Sequence, residues 1–151
     1  MPSVMDVASY ILRSRGPITT MKLQKLVYYC QAWSLVWDEK PLFEEPIEAW
    51  ANGPVVRQLY EAHRGRFDLV PDDLYGNPDA FDDDQKATID SVLNYYADKS
   101  TQWLIDLTHM EEPWRTAREG LPETARSNNV ISPISMAEYY SSLQSGTDEQ
   151  T

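Results

Sequence analysis

The sequence contains one cysteine, Cys30, and only two histidines, His63 and His109. A single thiol cannot form an internal disulfide or a CxxC metal site, which favours a reducing compartment such as the cytoplasm. No run of about 18 apolar residues occurs, and residues 1–6 lack a basic region that leads into an apolar stretch. We therefore expect neither a membrane-spanning segment nor a secretion signal.

Basic residues are also scarce. The 13 Lys and Arg are outnumbered by 24 Asp and Glu, and the formal net charge of -11 opposes attraction to a nucleic-acid backbone or an anionic membrane. A basic or neutral protein partner fits this charge better. A Gly-rich phosphate loop and a GxSxG nucleophile motif are missing as well, so the sequence predicts no catalytic residue, no metal site and no cofactor.

Apolar residues, in contrast, are abundant enough to form one core. The 151 residues are 42% apolar and 11% aromatic, a composition and length that suit one domain. We assign residues 1–144 to this domain. Residues 145–151 are small and polar, and we predict that they form a disordered tail.

Helical periodicity dominates the predicted domain. It predicts helices over residues 4–14, 21–38, 54–64, 82–96, 100–107 and 135–143, with a further helical turn opened by Pro113. The predicted caps are Thr19 or Thr20 for the second helix, Asp82 with Gln85 for the fourth, Ser100 for the fifth and a capping box of Ser135 and Glu138 for the last. Pro54 occupies the first position of the third helix, and residues 41–50 form a loop that can include a short hairpin. The second helix is apolar on nearly all sides and belongs in the centre of the domain. Its few polar positions are Lys22, Gln24, Lys25 and Gln31. The predicted fold is therefore mainly α, a single compact helical domain around a central apolar helix, with minor short β or extended segments.

The two histidines were considered as catalytic or metal-binding residues. Asp106 and Glu112 lie three residues to either side of His109, a spacing that suits an acid–base pair or a weak metal site. Pro113 pushes Glu112 out of the helical conformation, however, so these side chains are not expected to share a helix face. We interpret His109 as a buried, hydrogen-bonded structural residue, and His63 as a histidine at the edge of the core.

Two further patterns have both a structural and a functional interpretation. The acidic segment 72–84 suggests calcium, but it lacks the ligand order of an EF-hand and is better explained by helix capping in a solvated loop. The first two helices and the turn at Gly16 and Pro17 resemble a helix-turn-helix, which keeps a DNA-binding regulator as an alternative. The apolar surface of the second helix and the net charge argue against a nucleic-acid partner.

A cluster of arginines interrupts the acidic sequence at Arg57, Arg64 and Arg66. It forms either a solvated helix face or an anchor for acidic side chains of a partner, since arginine is favoured at interface hot spots. The next candidates for partner contact are exposed aromatic side chains beside acidic ones, which can form an anchor and its polar rim. They are Trp37, Phe43, Glu44 and Glu45.

Several segments resemble one known family. Residues 22–33 (KLQKLVYYCQAW), 41–43 (PLF) and 47–56 (IEAWANGPVV), followed by 107–109 (LTH) and 112–114 (EPW), are similar to the signature of the Panacea domain, also called SocA-like. The resemblance covers about residues 5 to 143. We interpret the motif residues as scaffold and not as partner contacts: Leu23, Leu26, Tyr29, Trp33, Trp50, Gly53, Pro54, Thr108, His109, Pro113 and Trp114.

The resemblance implies a mainly helical antitoxin of a bacterial or phage toxin–antitoxin pair, with a role in phage defence and a toxin encoded by the adjacent gene. Family members neutralise toxins of unrelated chemistry by direct binding. One member is described as an adaptor that delivers its toxin to a protease, so both modes stay open for this chain. The sequence also leaves open whether the chain forms a homo-oligomer.

Overall fold

A computed structural model of the protein describes the backbone of residues 1–150 and the side chains of residues 1–144. The predicted tail, residues 145–151, lies outside the residues whose side chains are described. The division of the chain into a domain and a tail therefore stays a prediction.

The described part of the chain is 57% helical and contains two small antiparallel sheets, which confirms the mainly α prediction. The seven helices are α1 (Val4–Arg15), α2 (Thr20–Trp37), α3 (Arg57–His63), α4 (Asp83–Tyr96), α5 (Thr101–Met110), α6 (Glu112–Ala117) and α7 (Pro133–Gln150). A 3₁₀ turn spans Pro71–Asp73. The strands are β1 (Ile18–Thr19), β2 (Ile47–Trp50), β3 (Gly53–Val56) and β4 (Asp68–Leu69), and they pair β1 with β4 and β2 with β3.

Most helices begin where a capping residue precedes an apolar pattern. The Thr19 hydroxyl accepts a hydrogen bond from the Lys22 amide at 3.2 Å, and the Ser100 hydroxyl accepts one from the Trp103 amide at 3.0 Å. Asp82 and Gln85 form a reciprocal capping box at the start of α4. These side chains satisfy amide groups that have no partner in the first helical turn. The predicted starts of α2, α4 and α5 are therefore confirmed.

Helix α2 lies in the centre of the domain, as its all-round apolar sequence predicts. Eleven of its 18 residues are buried, because α1, α4, α5, α7 and β3 all pack against it. The buried set includes polar residues. Gln31 donates to the Phe43 carbonyl at 2.9 Å and accepts from the Leu42 amide at 2.8 Å. Polar side chains inside α2 thus hold the neighbouring backbone to the core.

The hairpin differs from the predicted arrangement. We predicted that Pro54 opens a helix, but Pro54 pairs with Ala49 in the β2–β3 ladder, and α3 begins only at Arg57. Residues 51 and 52 form the connection between the strands. The Gln24 side chain then binds both backbone groups of Val56, with its Oε1 accepting from the amide at 2.9 Å. These tertiary hydrogen bonds keep the β-branched end of this segment extended.

The start of α7 was also predicted in the wrong place. We expected a capping box from Ser135 and Glu138, whereas the helix begins at Pro133. The Ser132 hydroxyl accepts a hydrogen bond from the Ser135 amide at 3.2 Å and thus caps the helix one turn earlier. Proline suits the first helical position because its fixed φ fits the helix and its missing N–H has no partner there.

A buried carboxyl group connects three helices. Glu111, between α5 and α6, accepts hydrogen bonds at its Oε1 from the Tyr29 hydroxyl of α2 at 2.6 Å and the Tyr140 hydroxyl of α7 at 2.8 Å. Burial raises the pKa of Glu111 to about 7, although both hydroxyl groups oppose this shift. The three side chains are buried and tie α7 to the central helix.

Candidate partner-binding site

A groove of about 750 Å³ opens beside the β2–β3 hairpin. It is formed by the start of α2, the end of β2 with its turn, α3, residues 64–66 and residues 126–128. Its volume lies within the range of sites that bind small ligands or short peptide segments. The groove is lined by four arginines and a single acidic residue, Glu61, although the chain as a whole has a formal net charge of -11. The arginines are Arg57, Arg64, Arg66 and Arg126.

Two of the four arginines already have acidic partners. Arg57 forms a bidentate ion pair with Glu48, at 2.8 Å and 3.1 Å, and its guanidinium lies 5.3 Å from the Trp50 ring centroid. Burial opposes ionisation of Glu48, but hydrogen bonds from Arg57 and Trp50 hold its pKa below the usual value. Arg66 pairs with Asp73 at 2.9 Å. These pairs fix the guanidinium groups at the groove.

The other two arginines are open for contact. Arg64 and Arg126 are exposed, and neither makes an ion pair or a side-chain hydrogen bond with any residue of the described chain. Arg64 caps the C-terminus of α3 and does not lie on the helix, because α3 ends at His63. The predicted position of Arg64 two turns along the same helix from Arg57 is therefore wrong, yet both residues line the groove.

Arg118 accounts for the position of Arg126. This buried guanidinium donates to the backbone carbonyls of Ala49, Pro122 and Ala125 at 2.9 Å, 2.7 Å and 2.6 Å. Its carbon atom Cζ lies 4.7 Å from the Trp114 ring centroid. The chain that follows runs beside β2, where Ala49 donates to the carbonyl of residue 129 at 2.8 Å. Residues 126–128 are thereby placed against the groove.

Aromatic side chains line one side of the groove. The rings of Trp50 and Tyr60 meet edge to face at 4.9 Å between centroids, and Tyr60 makes a similar contact with His63 at 5.5 Å. Both Trp50 and Tyr60 are half-buried. A half-buried aromatic pair offers apolar surface to a partner without a large loss of side-chain freedom.

The floor of the groove is polar and neutral. Gln24 Nε2 lies 3.0 Å from His63 Nε2 and also donates to the Val56 carbonyl. Because the amide donates, His63 Nε2 accepts and the proton of the neutral ring resides on Nδ1. Burial lowers the pKa of His63, and the nearby Lys25 lowers it further. His63 is thus a core-edge residue, as the sequence predicts.

Lys25 is a fully buried lysine beneath the hairpin. Its Nζ donates to the Pro54 carbonyl at 3.1 Å and contacts Met21 Sδ at 3.6 Å, and no carboxylate of the described chain pairs with it. Burial lowers its pKa to about 7. Gly53 leaves room for it: a Cβ on this residue would lie 2.6 Å from Lys25 Cε, and its φ of 110° favours glycine. We did not predict the burial of Lys25 from the sequence.

His109 has a structural environment that agrees in part with the prediction. The residue is half-buried, and its ring stacks on Trp114 with 4.1 Å between centroids. A hydrogen bond with the backbone of Ala51 agrees with the predicted hydrogen-bonded histidine, whereas its Nε2 has no hydrogen-bond partner in the described chain. The extended residue is Glu111 and not Glu112 as predicted, because Glu112 is the first residue of α6. His109 and Glu112 nevertheless lie on different helices, as expected. Burial lowers the pKa of His109.

Replacing His109 with Ala is expected to lower the free energy of unfolding by about 1 to 2 kcal/mol, because the stacked ring is lost from Trp114. Urea unfolding followed by tryptophan fluorescence measures this change. His109→Phe is the matched control, since it retains a ring and removes both nitrogen atoms, and it should be more stable than the Ala variant. Wild-type stability of His109→Ala together with loss of its biological activity would identify a contact residue instead.

The alternative contact residues differ in exposure. Trp37 is partly exposed and stacks on Trp33 at 4.9 Å between centroids. Glu44 is exposed, but Glu45 accepts a hydrogen bond from the Val4 amide at 3.2 Å. Phe43 is fully buried, so its prediction as an exposed anchor is wrong. The reason is that Gln31 binds the backbone on both sides of this position and draws the segment into the core.

Most of the motif residues lie in the scaffold. Leu23, Leu26 and Tyr29 are fully buried in the central helix. Trp114 is also buried, and its Nε1 donates to the Trp50 carbonyl at 2.8 Å. Thr108 is buried next to Gly53. The signature therefore builds the central helix and the hairpin, and the hairpin forms part of the groove.

The described residues contain neither a metal cluster nor a membrane-spanning helix. Among these residues, no group of three or more His, Cys, Asp or Glu side chains is arranged to hold a metal ion. No described helix combines the length and hydropathy required to cross a bilayer.

Comparison with known proteins identifies the family of the chain. The family model "Antitoxin SocA-like, Panacea domain" matches residues 23–115, which include most of α2, the hairpin, α3, α4 and α5. Searches of curated proteins and of solved structures found no significant match. The match covers more than half of the chain and agrees with the resemblance of its motifs, and the chain therefore belongs to the SocA-like antitoxin family of Panacea-domain proteins.

Proposed function

We propose that this protein is an antitoxin that neutralises a toxin, encoded by the adjacent gene, by binding it directly. Membership of the family supports an antitoxin-type role and suggests a role that is not enzymatic. The observation that carries the proposal is the match over residues 23–115, since this segment supplies most of the arginine-lined groove. A groove rich in arginine and aromatic side chains has the chemistry of a protein interface.

The DNA-binding alternative has less support. A recognition helix must present a polar face to base edges in the major groove. Helix α2, which would be that helix, is enclosed by four other helices and the hairpin. Its Lys25 is fully buried. We therefore favour a protein partner.

Co-expression with the neighbouring gene tests the proposal. The neighbouring gene alone is expected to stop growth, and co-expression with this protein should restore it. The two proteins should also co-purify at a constant molar ratio, as measured by affinity capture followed by size-exclusion chromatography. The size of the complex would additionally give the stoichiometry and reveal a homo-oligomer.

Strains that lack individual proteases distinguish sequestration from delivery. Rescue in every strain, with a stable complex, agrees with direct neutralisation. Rescue that disappears when one protease is deleted favours the adaptor alternative, because an adaptor needs the protease to remove its toxin. Rescue of growth without a detectable complex of the two proteins, whether the proteases are intact or deleted, contradicts the proposal.

A further inference from the structure

We infer that the arginine-lined groove binds an acidic segment of the toxin. Carboxylates of this segment pair with Arg64 and Arg126, and an adjacent apolar side chain packs against Trp50 and Tyr60. This inference rests on the proposed function, which it makes specific by naming the docking site and the chemistry of its occupant.

The distribution of charge is the first argument. The chain has eight arginines, and four of them line this one groove together with a single acidic residue. The chain as a whole has a formal net charge of -11, so the excess of arginine in the groove contrasts with the average charge of the protein. A local cluster of one charge provides complementarity to a segment of the opposite charge and excludes partners of the same charge.

The pairing of the arginines determines how many anionic groups the groove accepts. Glu48 and Asp73 already neutralise Arg57 and Arg66. Arg64 and Arg126 therefore remain for about two carboxylates, each of which an arginine binds in a bidentate geometry. A nucleic acid presents a dense row of phosphates, which the net charge of -11 repels. A protein segment with a few acidic side chains fits this site better.

The two arginines are also held in different ways. Arg64 follows α3 directly. Arg126 is carried by the chain that Arg118 anchors through the backbone carbonyls of Pro122 and Ala125. The backbone at both sides of the groove is thus fixed, while the two guanidinium groups stay exposed. Such a frame lowers the entropy that is lost when a partner segment is bound.

A double charge reversal tests the site. Arg64→Glu with Arg126→Glu should weaken binding of the toxin at least tenfold, measured as Kd by isothermal titration calorimetry. Lys40→Glu with Arg115→Glu is the matched control, because it makes the same change in net charge at exposed residues outside the groove. The control pair should remain within about threefold of the wild type. Circular dichroism should show that both double variants are folded.

These outcomes separate the inference from the proposed function. If the wild type and the groove variant bind the toxin with equal affinity, the groove assignment is overturned and neutralisation by binding is left intact. Equal weakening by both double variants also overturns it, since a general effect of charge would then suffice. Failure of the wild-type protein to bind the toxin at all contradicts the proposed function.

A probe that does not depend on the toxin tests the chemistry of the groove. A synthetic peptide with two glutamates flanking a phenylalanine, titrated into ¹⁵N-labelled protein, should shift the amide signals of Asn52, Tyr60 and Arg126. The same peptide with glutamine in place of glutamate should produce much smaller shifts. Equal shifts from both peptides, or tighter binding of a single-stranded oligonucleotide at the same residues, would contradict an acidic protein segment as the occupant.

Discussion

Replacing Lys25 with Met should raise the free energy of unfolding at pH 6 by on the order of 4 kcal/mol. The lysine is fully buried, no described carboxylate pairs with it, and its pKa in the folded protein is about 7. Below this pH the folded protein must hold a charged amine in the core. Methionine has a similar shape and removes that charge, although the Pro54 carbonyl loses a hydrogen-bond donor.

The effect must depend on pH with a defined sign. An unfolded lysine titrates near 10.5, whereas the folded Lys25 titrates near 7. The unfolded chain therefore binds more protons between these values, and the stability contributed by this residue falls as the pH falls from 10.5 to 7. The advantage of the Met variant should be largest at pH 6 and small at pH 10.

Urea unfolding of the wild type and of Lys25→Met at pH 6, 8 and 10 measures this difference. Lys40→Met is the matched control, since Lys40 is exposed, and it should show no comparable trend. A Met variant that is destabilised by the same amount at every pH would mean that the hydrogen bond to Pro54, and not the buried charge, dominates.

Leu26→Ala is expected to cost about 2 to 5 kcal/mol of unfolding free energy, the second large effect. Leu26 is fully buried in α2, the helix on which four others pack. Truncation therefore leaves a cavity that the enclosed helix cannot close by moving. Thermal and urea unfolding should both report the loss.

Trp37→Ala provides the comparison on the same helix. The Trp37 side chain is larger than that of Leu26 but is 42% exposed in the folded protein. Each of its atoms therefore buries less apolar surface on folding than an atom of Leu26 does. Its cost should be smaller than that of Leu26→Ala. The opposite order would show that the end of α2, and not its middle, carries the packing energy.

Local signals in the sequence predict most of the helices. Thr19, Asp82 and Ser100 act as caps where they were predicted, because a cap needs only the first turn that follows it. The central position of α2 is also predictable, since a helix that is apolar all round must be covered. The start of α7 could have been predicted from Pro133, which was the stronger signal.

Features that depend on distant parts of the chain were not predicted. Phe43 is buried because Gln31 binds its backbone, and Pro54 lies in a strand because Gln24 and β2 bind that segment. Propensity contains no information on either contact. In both segments, backbone groups that would bind water in the unfolded chain bind a buried glutamine side chain instead, and these hydrogen bonds determine where the segment lies.

The groove was predictable only in part. Arg57, Arg64 and Arg66 are close in sequence, and their cluster is evident there. Arg126 follows Arg66 by 60 positions in the sequence and reaches the groove because Arg118 anchors the chain before it. Lys25 has apolar neighbours in the sequence of α2, and this pattern could have been used to predict its burial.

The hydrogen bonds of Glu111 define how large the independently stable unit of this protein is. The match to the family model ends at residue 115, yet the Tyr140 hydroxyl of α7 supplies one of the two donors to this carboxyl. Shortening the chain to the matched segment would leave the buried carboxyl with Tyr29 alone and would uncover one side of α2. Helix α7 is therefore part of the minimal autonomous domain, and natural or engineered fusions at the C-terminus should be joined beyond it, not at the end of the matched segment.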